Sequence, residues 1–164
     1  PGPVFYHDGR IGLNEQGFGM IKFRTMRADA EAQQEELERE NEAEGALFKI
    51  KDDPRITRVG QFLRRFSLDE IPQVLNVLRG EMSLVGPRPL PVRDVGRFND
   101  PRLMRRFSMR PGLTCLWQIS GRSRLGFDQW IALDLQYIDT WSLRLDLAIL
   151  LKTGPAVIRG DGAM

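Results

Sequence analysis

Ser67-Leu68-Asp69-Glu70-Ile71-Pro72 is the stretch that decides the fold, because it marks a helix start and carries two adjacent carboxylates. Apolar residues then recur at i, i+3, i+4 and i+7, namely Ile71, Val74, Leu75 and Leu78. This spacing predicts a helix from about Ile71 onward that buries its apolar face. Pro72 fits the first turn, where a missing N–H does no harm. With Asp69 as the N-cap, backbone N–H groups and the helix dipole would favour its ionised form.

The Asp-Glu pair has two interpretations at this point. Ser67-x-x-Glu70 before an apolar run is also the pattern of a capping box, which needs no function, and the pattern alone favours it. Alternatively, a carboxylate beside a helix start and two arginines, Arg64 and Arg65, suits phosphoryl chemistry as a nucleophile or magnesium ligand. The turn-rich segment 80–91, which carries Arg88, favours the second interpretation.

The composition bounds the class of protein. The 164 residues suffice for one domain with a core, and 41% hydrophobic with 28% charged residues is typical of a soluble globular protein. A single cysteine, Cys115, excludes an internal disulfide, and with a single histidine, His7, it excludes a zinc site of the usual kind. No nucleophile-elbow motif surrounds either residue.

Charge is unevenly distributed along the chain. Residues 29–44 hold eight acidic residues and one arginine, while the remainder carries 23 basic and 14 acidic residues. A body this basic favours anionic partners such as nucleotides, phosphates, lipid headgroups or nucleic acid. No known nucleic-acid-binding motif is present, so we expect no nucleic-acid partner. A nucleic-acid-binding module and a membrane-surface scaffold, both without catalysis, stay as alternatives to an enzyme.

The predicted fold is α+β, a mostly helical single domain over residues 1–164 with a small N-terminal β-hairpin. Strands are expected at residues 3–6 and 19–23, a solvated helix at 29–44, and a helix through Arg65 capped by Thr57. Residues 86–91 should be irregular because of their three prolines, and residues 91–107 helical. Two helices, 128–140 and 142–152, finish the chain. The apolar last helix is too short to span a membrane and is expected in the core.

Arginines recur beside turns. A planar guanidinium pairs phosphate oxygens bidentately, so turn-borne arginines are good diphosphate clamps. The chain has no Walker loop and no dinucleotide-binding glycine fingerprint, so a bound nucleotide would be held by arginines and magnesium. The arginines concerned are Arg64, Arg88, Arg110, Arg122 and Arg124.

Several long motifs occur in a fixed order over nearly the whole chain. They are Lys22-Phe23-Arg24-Thr25-Met26, Asp53-Pro54-Arg55-Ile56-Thr57, Ser67-Leu68-Asp69-Glu70-Ile71-Pro72-Gln73, Gly80-Glu81-Met82-Ser83-Leu84-Val85-Gly86-Pro87-Arg88-Pro89 and Arg110-Pro111-Gly112-Leu113-Thr114. In these motifs the chain resembles the catalytic domain of the monotopic phosphoglycosyl transferases, bacterial sugar transferases that load a polyprenyl phosphate carrier. Trp117-Gln118-Ile119-Ser120-Gly121-Arg122 and the end Gly162-Ala163-Met164 are similar to the larger, exopolysaccharide-initiating members.

The resemblance implies a role for each matching residue. Asp69 would be the nucleophile, and Glu70 would help it to hold Mg²⁺. The resemblance also implies, on a weaker match, that Arg24 and Asp146 belong to the site. The substrate and its phosphates would be bound by Arg64, Arg88 and Arg122, with Pro87 and Pro89 beside them.

The implied reaction moves a sugar 1-phosphate from a UDP-sugar to undecaprenyl (polyprenyl) phosphate through a phosphosugar-aspartyl intermediate. Its products would be UMP and a polyprenyl diphosphate sugar, the first step of exopolysaccharide synthesis. The resemblance places such an enzyme on the cytoplasmic face of the bacterial inner membrane and is compatible with a homo-oligomer. The chain begins at Pro1 without a methionine, so we expect the membrane segment of the parent protein to be absent and this fragment to be soluble.

Overall fold

A computed structural model describes residues 2–30, 32–33, 53–96, 101–122 and 125–159. Most of the helix predicted at residues 29–44 lies outside these ranges, as do Arg124 and the Gly162-Ala163-Met164 end. Within them the predicted α+β class is confirmed, with a small antiparallel sheet built on the N-terminal hairpin, a two-stranded parallel sheet, and helices.

In the described ranges, five strands form two sheets. The predicted hairpin is confirmed, but its first strand, predicted at residues 3–6, is β1 (Phe5–Ile11) and extends much further along the chain. It pairs with β2 (Gly17–Phe23) in a register that runs from Phe5 opposite Phe23 to Ile11 opposite Gly17. β4 (Leu90–Pro91) pairs antiparallel with the other side of β1, so the prediction that residues 86–91 are wholly irregular is wrong at its end. An edge strand tolerates a proline. β3 (Ser83–Val85) and β5 (Gly112–Thr114) pair in parallel.

Helices make up most of the remaining described chain. The continuous helix predicted at residues 91–107 is wrong: α3 (Val92–Val95) ends at Val95, and a 3₁₀ segment begins at Pro101. The predicted cap of α1 (Arg58–Arg65) is confirmed, since Thr57 Oγ1 accepts a hydrogen bond from Gly60 N at 3.0 Å. The helices are α1 (Arg58–Arg65), α2 (Val74–Leu78), α3 (Val92–Val95), α4 (Leu116–Ile119), α5 (Phe127–Thr140) and α6 (Leu143–Arg159), with further 3₁₀ segments at Leu13–Glu15, Leu68–Gln73 and Pro101–Ser108.

The face that the spacing predicted as buried around Ile71 faces outward instead. Ile71 is 54% and Leu78 78% exposed, whereas Asn76 is fully buried. Asn76 Oδ1 accepts a hydrogen bond from Ile21 N at 3.0 Å, and Nδ2 donates to Gly19 O at 2.9 Å. The helical region is therefore attached to β2 by its polar face, and the predicted burial of the apolar face is wrong.

The apolar side chains of helix α1 also face outward. Val59 and Phe62 are exposed, and the buried residue of the helix is Gly60. A Cβ at Gly60 would lie 2.0 Å from Thr25 O, so only glycine allows this approach of α1 to the end of β2.

The core lies where β3 meets the last two helices. Val85, Tyr137 and Ile149 form its buried centre. The prediction that the last helix belongs to the core is confirmed for only one face of α6, because Leu143 and Leu151 are largely exposed. No helix in the described part of the chain combines the length and the apolar character needed to cross a membrane.

Candidate active site

A cavity of about 470 Å³ lies between the hairpin, the start of α3 and α1, and Asp69 lines it. Most of its charged groups are cationic, which suits an anionic ligand. The charged side chains that line it are Asp8, Arg10, Lys22, Arg24, Arg27, Asp53, Arg55, Arg64, Asp69 and Arg93.

Asp69 occupies the second position of the 3₁₀ segment Leu68–Gln73 and is not an N-cap as predicted. Ser67, the residue before the segment, has a φ of +53°, and its side chain makes no capping hydrogen bond. The capping-box interpretation is therefore wrong for this structure. The left-handed turn at Ser67 starts a tight segment on which Asp69 is buried and Ile71 is exposed.

The Asp69 carboxylate is 9% exposed and receives no hydrogen bond from the described residues. Burial raises the pKa of Asp69 above its ordinary value, and the neighbouring Glu70 charge adds to this increase. The positive charges of Lys22, Arg64 and Arg88 oppose it. The prediction that the surroundings favour the ionised form is thus wrong in sign, because burial and the Glu70 charge outweigh these cations. Asp69 also lacks the hydrogen-bond donors of the predicted N-cap. A carboxylate without such donors is a better nucleophile than a capped one.

Glu70 has the opposite environment. Its Oε1 accepts a hydrogen bond from Arg88 Nη2 at 2.8 Å. Burial alone would raise the pKa of Glu70, but the charges of Arg88 and Lys22 outweigh it and hold the pKa below the ordinary value. The Arg88 guanidinium also lies 5.2 Å from the centre of the Trp117 ring. The two adjacent carboxyl groups are therefore electrostatically distinct, with Glu70 fixed as an anion.

Arg122 is 3% exposed, with a φ of +52°. Its Nε and Nη2 atoms are buried and have no hydrogen-bond partner among the described residues. Burial lowers the pKa of Arg122, whereas the charge of Glu70 raises it and that of Arg88 lowers it further. An unpaired buried guanidinium is costly, so this position fits a group completed by a bound anion.

The two remaining predicted arginines line the cavity. Arg64 Nε donates to Thr25 Oγ1 at 3.0 Å, which directs the guanidinium from α1 towards β2. Arg24 Nε donates to Pro3 O at 2.8 Å, and its guanidinium lies 5.4 Å from the centre of the Tyr6 ring. Both side chains are therefore held in place beside the space that Asp69 faces.

Of the predicted site residues, only Arg24, Arg64 and Asp69 line this cavity. Glu70, Arg88 and Arg122 lie outside its lining, and so do Pro87, Pro89 and Asp146. The carbonyl oxygens of Pro87 and Pro89 accept hydrogen bonds from Gly112 N at 2.9 Å and Arg10 Nη1 at 3.0 Å, respectively. Asp146 accepts hydrogen bonds from the Tyr137 hydroxyl at 2.8 Å and from Trp141 Nε1 at 3.3 Å. These contacts give the prolines a part in holding the segment around Arg88 and give Asp146 a part in joining α5 to α6. Direct roles of Pro87, Pro89 and Asp146 in substrate binding stay predictions.

Three residues of the cavity were not singled out as site residues from the sequence. Asp8 forms an ion pair with Arg10, and Lys22 Nζ lies 3.4 Å from Asp8 Oδ2. Burial and the Arg10 charge lower the pKa of Lys22 to about 8, although Asp8 and Glu70 oppose the decrease. The signal in the sequence was the strand alternation, which places Asp8 and Arg10 on one face of β1 with Lys22 diagonally opposite.

The side chains that could hold Mg²⁺ are the adjacent carboxylates of Asp69 and Glu70. The described residues contain no group of three or more His, Cys, Asp or Glu side chains suited to a metal ion. Mg²⁺ is commonly held by one or two carboxylates together with substrate phosphates and water. Glu70 Oε2 accepts no hydrogen bond from the described residues, and Asp69 is unpaired. The pair therefore fits a Mg²⁺ ion that binds together with a phosphorylated substrate.

Comparison with known proteins identifies the family. The family described as bacterial sugar transferase matches residues 1–160, so the chain belongs to that family of transferases. It is 47% identical over 99% of its length to the galactosyl transferase CpsE of Streptococcus agalactiae and spans 36% of that protein. It is 48% identical over 99% of its length to the exopolysaccharide production protein ExoY of Rhizobium meliloti and spans 73% of it. The undecaprenyl-phosphate galactose phosphotransferase of Salmonella typhimurium is 42% identical over 99% of the chain, which spans 35% of it.

Proposed function

We propose that this protein transfers a sugar 1-phosphate from a UDP-sugar to undecaprenyl phosphate, with Asp69 as the covalent nucleophile. The observation that carries the proposal is the Asp69 carboxylate, which lines a cationic cavity without a hydrogen bond from the described residues. The relatives support it, because the Salmonella protein is named for transfer of galactose phosphate to undecaprenyl phosphate.

In the first step an Asp69 oxygen attacks the β-phosphorus of the UDP-sugar. A bond forms between this oxygen and phosphorus, the bond from the same phosphorus to the bridging oxygen breaks, and UMP leaves with the electron pair. Arg64 lies on the cavity wall and Arg88 close to Asp69, and both carry positive charge that stabilises the negative charge on the diphosphate. The unpaired N–H groups of Arg122 provide further donors for a phosphate oxygen.

In the second step a phosphate oxygen of the lipid acceptor attacks the phosphorus attached to Asp69. The new bond gives the polyprenyl diphosphate sugar, and the breaking bond returns the Asp69 carboxylate. Lys22 lines the same cavity as Asp69, and its charge favours the ionised carboxylate on which the next cycle depends. Asp69 and Glu70 would hold Mg²⁺, which when bound supplies charge neutralisation at the diphosphate.

An exposed apolar face lies next to the site and supports action at a membrane. It consists of Phe62 on α1 and of Ile71, Val74, Leu75 and Leu78 on the segments that follow, all more than 40% exposed. α1 packs against the 3₁₀ segment that carries Asp69, so this apolar outer face and the nucleophile belong to one structural unit. Several large apolar side chains exposed on one unit are typical of an interaction site. Leu78→Asp should weaken flotation with anionic vesicles at high salt.

The test separates the two half-reactions. The protein is incubated with UDP-galactose, UDP-glucose or other UDP-sugars, first without and then with undecaprenyl phosphate, and UMP is measured. We expect limited UMP release without the acceptor and turnover with it. Glu70→Gln keeps the nucleophile and should retain slow turnover with a raised magnesium requirement. A catalytically silent membrane scaffold or nucleic-acid-binding module would release no UMP from any UDP-sugar.

A further inference from the structure

A second cavity, of about 740 Å³, adjoins the catalytic cavity at the end of β2. Its volume is in the range of about 300–1,000 Å³ that is typical of small-molecule sites. Its apolar side chains come from the chain start, from the end of β2 and from α1. We call it the apolar groove, lined by Val4, Phe23, Met26, Val59 and Leu63.

The apolar groove and the catalytic cavity share a wall. Phe23, Arg24, Met26, Arg27 and Ala28 line both spaces. The two arginines thus stand between an apolar space on one side and Asp69 with its cations on the other. Among the described residues of the groove wall, Asp29 is the one acidic group, and its Oδ2 accepts a hydrogen bond from Gln33 Nε2 at 2.8 Å.

We propose that the apolar groove binds the first isoprene units of the lipid acceptor, with its phosphate held at the shared wall. This inference rests on the proposed function, since it assigns the position of the second substrate. An isoprenyl phosphate has an apolar chain attached directly to an anionic head. The groove matches the chain through hydrophobic burial, and Arg24 and Arg27 match the head by charge.

The apolar character of the groove excludes the UDP-sugar as its ligand. A uridine ring carries hydrogen-bonding edges that need partners when buried, and the groove offers mostly aliphatic and aromatic carbon. The UDP-sugar therefore belongs in the polar cavity, and the chain of the lipid acceptor lies in the groove.

The test is a calorimetric titration of the purified protein, without UDP-sugar, with three soluble probes: farnesyl phosphate, methyl phosphate and farnesol. The groove variants are Val4→Asp, near the chain start, and Val59→Asp, on α1. Both residues are 67% exposed in the native fold, so neither change should prevent folding. The matched control is Leu143→Asp, because Leu143 is 70% exposed and lines neither cavity. Arg27→Gln tests the phosphate contact.

We expect farnesyl phosphate to bind at least about 100-fold more tightly than methyl phosphate, since each buried methylene adds to affinity. Each groove variant should weaken farnesyl phosphate binding about tenfold, whereas Leu143→Asp should not. Arg27→Gln should weaken farnesyl phosphate several-fold and leave farnesol unchanged. Equal binding of farnesyl and methyl phosphate, or an unchanged affinity in both groove variants, would overturn the proposal. Because the titration needs no turnover, absence of UMP release would count against the proposed function and not against the groove.

Discussion

Asn76→Leu, compared with Leu75→Gln, tests which face of the Asp69 region is buried. Asn76 is 0% exposed and Leu75 is 45% exposed, the reverse of what their polarities suggest. Replacing Asn76 by leucine keeps the volume but removes hydrogen bonds to Ile21 N, to Gly19 O and to Glu81 Oε2. A buried unpaired N–H costs about 1–3 kcal/mol, and a bond to a charged group contributes about 1.5–3 kcal/mol.

We therefore expect Asn76→Leu to lower the free energy of unfolding by about 2–4 kcal/mol after the gain from leucine burial. For a protein of this size the melting temperature should fall by about 4–16 °C. Leu75→Gln alters an exposed side chain and should stay within about 0.5 kcal/mol of the unaltered protein. Urea unfolding monitored by circular dichroism measures both. A larger loss from Leu75→Gln than from Asn76→Leu would show that the apolar face is buried and refute the described attachment of α2 to β2.

Three further predictions follow from the charged groups. The rate of UMP release should fall on the acid side as Asp69 protonates, at a pH above the ordinary pKa of an aspartate. It should also fall above about pH 8 as Lys22 loses its proton, and Lys22→Arg should remove this alkaline decrease; its persistence would assign it to another group. Arg106→Leu leaves the buried Asp134 carboxylate without its ion-pair partner, so urea unfolding should show a loss of about 3–5 kcal/mol. The double variant Arg106→Leu/Asp134→Leu should recover most of that loss, and no recovery would contradict the pairing. EDTA should stop UMP release and leave the circular dichroism spectrum unchanged, with recovery on adding magnesium; full activity in EDTA would exclude the metal.

Local patterns predicted the elements well where the cause is local. The Thr57 cap and the β1–β2 hairpin depend on neighbouring residues and strand alternation, and both are confirmed. The left-handed Ser67 could not be predicted, because a non-glycine residue rarely adopts positive φ and nothing in its type requires it. That turn makes the Asp69 segment a 3₁₀ helix and not the first turn of an α-helix.

The periodicity of apolar residues could not predict which face of the Asp69 region is buried. The spacing of Ile71 and Leu78 shows that one face of the segment is apolar, but not whether that face meets the core or a partner. Asn76 reverses the orientation through bonds to a strand more than fifty residues earlier in the chain. Lys22 lies beside Asp8 because of the hairpin register, and this pair was missed because the strand predicted at residues 3–6 ended before Asp8.

The most direct test of the account is mass spectrometry of the protein after exposure to a UDP-sugar that yields UMP, without lipid acceptor. The account predicts an added sugar phosphate on the peptide that contains Asp69, lost again when undecaprenyl phosphate is supplied. Asp69→Asn is nearly isosteric and should fold normally, but it should carry no adduct and release no UMP, because an amide is a very poor nucleophile. An adduct on another residue, or UMP release by Asp69→Asn at a rate near that of the unaltered protein, would contradict the central claim.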